Sequence, residues 1–224
     1  MASVIEIKSV YYPESDGKPM GETDDHRDEM VREIELLRRY YQGQQVYVSG
    51  DLLVYYEQGN PKKFVVPDVF VVKGIDPKKR RIYRIWYEGQ APDAIIEVTS
   101  RKTKKKDTVT KPALYARLGI KECFLFDPTQ EYLEPPLRGY RLVNGDYEKI
   151  AADARGALVS QELGLRLQAA HGQLMMVRLD TGQRLLTAEE ARRAEAEARR
   201  AEAEARRAAE AEVARLREEL RRLQ

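Results

Sequence analysis

Two acidic residues stand where acids are expensive. Asp68 lies inside the apolar run "FVVPDVFVV", Phe64 to Val72, and Glu97 follows two isoleucines in "PDAIIEVTS". Burying an unpaired carboxylate costs several kcal/mol, so two such placements call for a cation, a proton or a cleft. If the two strands pair in register, both carboxylates point at one spot, the arrangement that a hard divalent cation, Mg2+ (or Mn2+), requires of oxygen ligands. Such an ion polarises a phosphodiester and lowers the pKa of a bound water that attacks phosphorus. A nearby lysine would orient the water or offset developing negative charge. The competing reading is structural: a carboxylate exposed at a sheet edge, or satisfied by backbone hydrogen bonds with no metal.

The elements that must position these acids follow from periodicity. Asp28 to Tyr41 carries a helical apolar stripe at Met30, Val31, Ile34, Leu37 and Tyr41. "QVYVSGDLLVYYEQ" is strand-like and, with a turn at "GNPKK", forms an expected antiparallel hairpin with the strand holding Asp68. "DAIIEV" is apolar almost throughout, as a central strand covered on both faces would be. "TVTKPALYARLG" reads as a helix with Pro112 in its first turn and Gly119 at its end, and "KECFLFDP" as another buried strand. Strand, helix, strand in that order predicts a right-handed crossover and parallel pairing. "GYRLVNGDYEKI" and "LGLRLQAAHGQLMMVRL" read as hairpins, with His171 a turn residue. The expected fold is α/β, a mixed β-sheet flanked by helices.

Several further residues belong to this frame. Asp107 is placed either to cap the helix after "RKTKKK" or to orient a lysine, and Asp127 before Pro128 to close a strand-end turn. Two basic clusters, "KKRR" at Lys78 to Arg81 and "RKTKKK" at Arg101 to Lys106, flank the acids. The second, with Arg101, Lys102, Lys104, Lys105 and Lys106, follows the Glu97 strand directly; it suits phosphate contacts with a nucleic-acid backbone or is simply a solvated loop. Tyr83 and Trp86 could stack on a base or pack.

Pro67-Asp68, then Pro92-Asp93 with Glu97, then Asp107, Lys111 and Tyr115, then Asp127-Pro128 form an ordered set. In this order and spacing the region from Tyr12 to Ile150 resembles the PD-(D/E)XK nuclease superfamily, and within it the Uma-two family of restriction-endonuclease type. The resemblance implies a restriction-endonuclease-like domain over residues 1–186, a DNA substrate and an endonuclease activity. It implies Asp68 and Glu97 as catalytic residues and metal ligands, with the Val98 carbonyl as a third ligand. The superfamily's lysine usually stands two residues after the glutamate, where this chain has Thr99. The resembling branch supplies the base from the following helix, which here is Lys111, with the loop lysines as alternatives. Family members often begin their first helix with a histidine, which points to His26. Glu33 shares a helix stripe with His26 and, by analogy, is a candidate extra metal ligand; equally, His26 reads as a surface residue near a helix start and Glu33 as an amphipathic edge residue.

From Thr187 the composition changes to "TAEEARRAEAEARRAEAEARRAAEAEVARLREELRRLQ", without Gly, Pro or aromatics. Thr187 and Glu190 match a capping box, so a long helix is expected over 187–224, with Glu195–Arg199 and Glu202–Arg206 as i,i+4 pairs. Val213, Leu216, Leu220 and Leu223 form a 3-4-3 stripe one position out of phase with the alanine repeat. The helix is therefore either a coiled coil that makes the protein a homodimer or other homo-oligomer, or a solvated single helix. The chain has 224 residues and a formal charge of +2, so global charge identifies no partner. A single cysteine, Cys123, excludes an intrachain disulfide and thiolate-rich zinc sites and fits a cytoplasmic protein; no apolar run is long enough to span a membrane. The function expected is metal-dependent hydrolysis of DNA phosphodiesters. The alternative is a catalytically weak or inactive nuclease fold that binds DNA or scaffolds partners through its coiled coil.

Overall fold

A computed structural model describes residues 10–17, 23–100 and 106–223. The chain divides into two compact units, Met1–Leu185 and Leu186–Gln224. The first runs α1 (Asp24–Tyr40), β1 (Val46–Ser49), β2 (Val54–Tyr55), β3 (Phe64–Val65), β4 (Val69–Lys73), β5 (Tyr83–Arg84), α2 (Ile85–Glu88) and β6 (Ala94–Val98). A π-helical turn (Lys106–Thr110) leads into α3 (Lys111–Arg117), followed by β7 (Glu122–Phe126), β8 (Leu137–Val143), β9 (Asp146–Lys149), β10 (Leu158–Ser160), β11 (Leu165–Ala170) and β12 (Gln173–Arg178).

Six strands make one mixed sheet in the order β1-β4-β6-β7-β8-β9. The pair β6–β7 is parallel and bridged by α3, and the other neighbours are antiparallel. Side-chain alternation gives the sheet two apolar faces. Val69, Val71, Ala94, Ile96, Phe124 and Phe126 pack with Leu36 and Leu37 of α1 and with leucines of the β10–β11–β12 sheet. Phe70, Val72, Ile95, Cys123 and Leu125 pack with Tyr115 of α3 and with Val54, Val65 and Tyr83 of the small β3-β2-β5 sheet. Both faces being covered explains why β6 and β7 read as continuous apolar runs.

Three expectations need correction. "FVVPDVFVV" is not one strand. Phe64–Val65 belongs to the small sheet and Val69–Lys73 to the large one, with Pro67-Asp68 as the break. Pro67 lacks an N–H and restricts Val66, which ends the first strand. "QVYVSGDLLVYYEQ" is likewise split: β1 pairs antiparallel with β4, while the expected hairpin about "GNPKK" forms between β2 and β3. The first helix starts at Asp24 rather than Asp28, because the Thr23 hydroxyl caps it by accepting the His26 N–H at 3.3 Å.

The second unit is α4 (Ala188–Arg222), with the expected Thr187–Glu190 capping box. Its side chains pair along the surface as Glu195–Arg199 and, against expectation, Arg206–Glu210 in place of Glu202–Arg206. Among the described residues no helix is long and apolar enough to cross a membrane.

Candidate active site

Antiparallel pairing of Val69 with Ile96 sets the geometry of the acids, because one more step of that register places Asp68 opposite Glu97. Asp68 sits just before β4, outside the ladder, and its Oδ2 accepts the Val98 N–H at 2.8 Å. The Asp68 N–H lies 3.4 Å from Glu97 Oε2. From α1, His26 Nε2 approaches the same Asp68 oxygen at 3.3 Å. Burial alone would raise the Asp68 pKa, but the His26 hydrogen bond and the Lys111 charge outweigh it and hold the carboxyl below its usual value.

Gly50 makes this approach feasible. A Cβ there would lie 1.9 Å from the Asp68 carbonyl oxygen and 2.8 Å from Ile34 Cδ1, so only glycine lets the chain after β1 pass behind Asp68.

Glu97 is fully buried on the face that α3 covers. Lys111 Nζ donates to its Oε2 at 2.6 Å, and the Tyr115 hydroxyl donates to its Oε1. Lys111 also lies 3.1 Å from Asp107 Oδ1. Asp107, Lys111 and Tyr115 recur every four residues, so the π-helical turn and α3 present all three to Glu97. Burial pushes the Glu97 carboxyl up to about 8 against the pull of Lys111. Burial would lower the Lys111 ammonium, but Glu97, Asp68 and Asp107 raise it and keep it charged. Tyr115 is raised well above its ordinary value by burial and by Glu97, so it remains a neutral donor.

Glu33 is fully buried, and neither carboxylate oxygen has a hydrogen-bond partner among the described residues. Burial first, then Glu29 and Asp68, push its pKa well up despite Arg32. Thr99 is buried with its hydroxyl unpartnered among those residues, and it shares the Glu97 face by alternation. Where a lysine two residues after the glutamate would have stood, Lys111 arrives from α3 instead.

The structure thus brings together Asp68, Glu97, Lys111, His26 and Asp107. Arg101, Lys102, Lys104 and Lys105 lie outside the described residues; Lys106 opens the π-helical turn, and its side chain lies outside them as well. The other basic cluster is not a free patch. Lys78 pairs with Asp76, Arg80 with Glu88 and Arg81 with Glu14. Tyr83 is fully buried and cannot stack on a base, and Trp86 packs on Tyr12 with ring centroids 5.3 Å apart. Asp93 holds the far end of β6 by accepting the Lys73 N–H at 2.7 Å and pairing with Lys121. Asp127 ties its turn by accepting the N–H groups of Thr129, Gln130, Tyr132 and Leu133. Sequence reasoning missed the Tyr115 contact, although its i,i+4 spacing from Lys111 carried the signal, and it missed Gly50, whose role needs the fold.

Among the described residues no group of three or more His, Cys, Asp or Glu side chains forms a ready-made metal cluster. Mg2+ does not require one, since it is held through one or two carboxylates, with water and substrate phosphate filling its other positions. The donor set here is oxygen-rich: the buried carboxyl groups of Glu97 and Asp107 both contact the Lys111 ammonium. The Glu33 oxygens, buried and without a hydrogen-bond partner among the described residues, are further hard donors, and the residues fit a hard divalent cation.

Residues 15–176 match the model of the Uma2 family, described as "Putative restriction endonuclease". A crystal structure described as "a putative nuclease belonging to DUF820 from Anabaena variabilis" is 16% identical, with a TM-score of 0.48, covering 65% of this chain and 76% of that one. Comparison with curated proteins gives no match.

Proposed function

We propose that this chain, which belongs to the Uma2 family of restriction-endonuclease type, is a divalent-metal-dependent endonuclease that hydrolyses DNA phosphodiesters within residues 1–186. The observation that carries the reading is the convergence of Asp68 and Glu97 at one strand end with Lys111 on Glu97. Asp68, Glu97 and the Val98 carbonyl would hold Mg2+ or Mn2+, with Glu33 a candidate further oxygen donor. When bound, the cation supplies Lewis-acid polarisation of the phosphodiester and a more acidic water.

The protein's own groups do the rest. The Val98 N–H and His26 aim Asp68, and Tyr115 fixes Glu97 through the oxygen that Lys111 does not use. Lys111, charged and nine-tenths buried, positions the attacking water and offsets charge developing on phosphorus. Thr99 lines the same face. Arg101, Lys102, Lys104, Lys105 and Lys106 follow β6 in sequence and would contact the DNA backbone. The α4 stripe of Val213, Leu216, Leu220 and Leu223, all exposed, would join copies into a homodimer, one route to cutting both strands. A buried free Cys123 fits a cytoplasmic setting.

Supercoiled plasmid incubated with Mg2+ or Mn2+ tests this. Cleavage by the wild type, reduced about 100-fold or more in Lys111→Met, is expected. DNA binding without cleavage would favour a scaffolding protein that keeps the fold and not the chemistry.

A further inference from the structure

Asp107 is fully buried, yet neither of its oxygens makes a hydrogen bond among the described residues. Its close contact is the Lys111 ammonium, 3.1 Å from Oδ1, while the same ammonium donates to Glu97 Oε2 at 2.6 Å. Both Glu97 oxygens are engaged, one by Tyr115 and one by Lys111. A cation that takes Glu97 therefore competes with Lys111. Releasing a buried ammonium with nowhere to go would strand its charge, which is strongly unfavourable.

We propose that Asp107 is a second seat for the Lys111 ammonium, which passes from Glu97 to Asp107 as a divalent cation takes Glu97. This rests on the cation-binding reading above and adds to it a coupling between metal binding and an ion-pair exchange. Three features support it. The ammonium has three donors and can hold both carboxylates while it moves. The two seats, on β6 and on the π-helical turn, lie 2.6 Å and 3.1 Å from one nitrogen, so the exchange needs only a short side-chain swing. The unbonded Asp107 carboxylate gains its missing hydrogen bond in the exchanged state, which offsets the loss of the Glu97 contact. Asp107 is then a positioning residue: it touches neither substrate nor cation and keeps Lys111 charged and in place.

The test is Mn2+ binding by calorimetry on four full-length proteins: wild type, Asp107→Asn, Lys111→Met and the double variant. Asparagine keeps the shape but removes the charge that receives the ammonium. Asp107→Asn should weaken Mn2+ binding roughly tenfold. In the Lys111→Met background, where no ammonium needs a seat, it should change affinity less than about twofold. An unchanged affinity in Asp107→Asn overturns the proposal, as does a loss equally large without Lys111, which would mean that Asp107 acts on the cation directly. If the wild type binds no Mn2+, the cation-binding reading falls and this proposal with it; binding with no Asp107 effect removes the proposal alone.

A second measurement needs no folded Asp107 variant. The lysine ammonium NMR signal of the wild type, assigned by its loss in Lys111→Met, should shift on addition of Mg2+ and stay protected from solvent exchange. A signal that does not move, or that vanishes into exchange with water, contradicts the exchange of seats.

Discussion

At Glu97, burial drives the carboxyl towards its neutral form while Lys111 and the Tyr115 hydroxyl favour the charged one, and burial wins to the extent of a pKa of about 8. Because the folded value lies above the unfolded one, the proton on Glu97 stabilises the fold fully below the ordinary glutamate pKa. That contribution is lost as pH rises through about 8. Thermal melts of metal-free wild type and Glu97→Gln at pH 5 and pH 8 should show the variant gaining on the wild type at the higher pH. A difference independent of pH would contradict the raised value. Tyr115→Phe leaves the buried Glu97 Oε1 without its donor, and an unsatisfied buried polar atom costs about 1–3 kcal/mol. Urea unfolding should show a loss of that size, and a loss under about 0.5 kcal/mol would mean the hydroxyl does not hold Glu97.

The site exists because three elements end at one place: β4 begins after Asp68, β6 ends at Val98, and the π-helical turn leads α3 in beside them. Gly50 is the hinge of this arrangement. Gly50→Ala puts a methyl into the Asp68 carbonyl, and overpacking of this type costs about 1–3 kcal/mol. Calorimetry should show Mn2+ binding weakened in a variant that still melts cooperatively; undiminished binding would mean the Asp68 position tolerates displacement. Much of this level was legible in sequence. The continuous apolar runs of β6 and β7, the intervening helix and the parallel pairing followed from periodicity and chain handedness. The capping box of α4 and the Asn144–Gly145 turn were equally direct, since local chemistry dictates both. What was not legible depended on tertiary partners. Glu33 stayed divided between a cleft-facing acid and an amphipathic edge residue because helical periodicity does not say what covers an acid; it is fully buried. "KKRR" read only as a basic cluster flanking the acids because two of the acids that pair with it, Glu14 and Glu88, are not its sequence neighbours. Asp68 looked central to a strand because strand propensity ignores the sheet to which each half belongs.

At the scale of the whole molecule, the proposed function assigns cation binding to the first unit and self-association to α4. The α4 leucines are exposed, and burying two of them in a seam is worth several kcal/mol. Sedimentation of the full chain should show an oligomer that Leu216→Glu with Leu220→Glu weakens by about 100-fold or more. A monomeric wild type would leave α4 a solvated helix and require each DNA strand to be cut in a separate encounter. The central claim, that Asp68 and Glu97 sit in an apolar fold in order to hold a catalytic cation, is tested most directly by Mn2+ calorimetry on wild type, Asp68→Ala and Glu97→Ala, with plasmid cleavage measured on the same samples. The wild type is expected to bind and cut, and both variants to lose metal and activity while remaining folded. Metal binding that is absent from the wild type, or unchanged in the variants, would make the two carboxylates structural and contradict it.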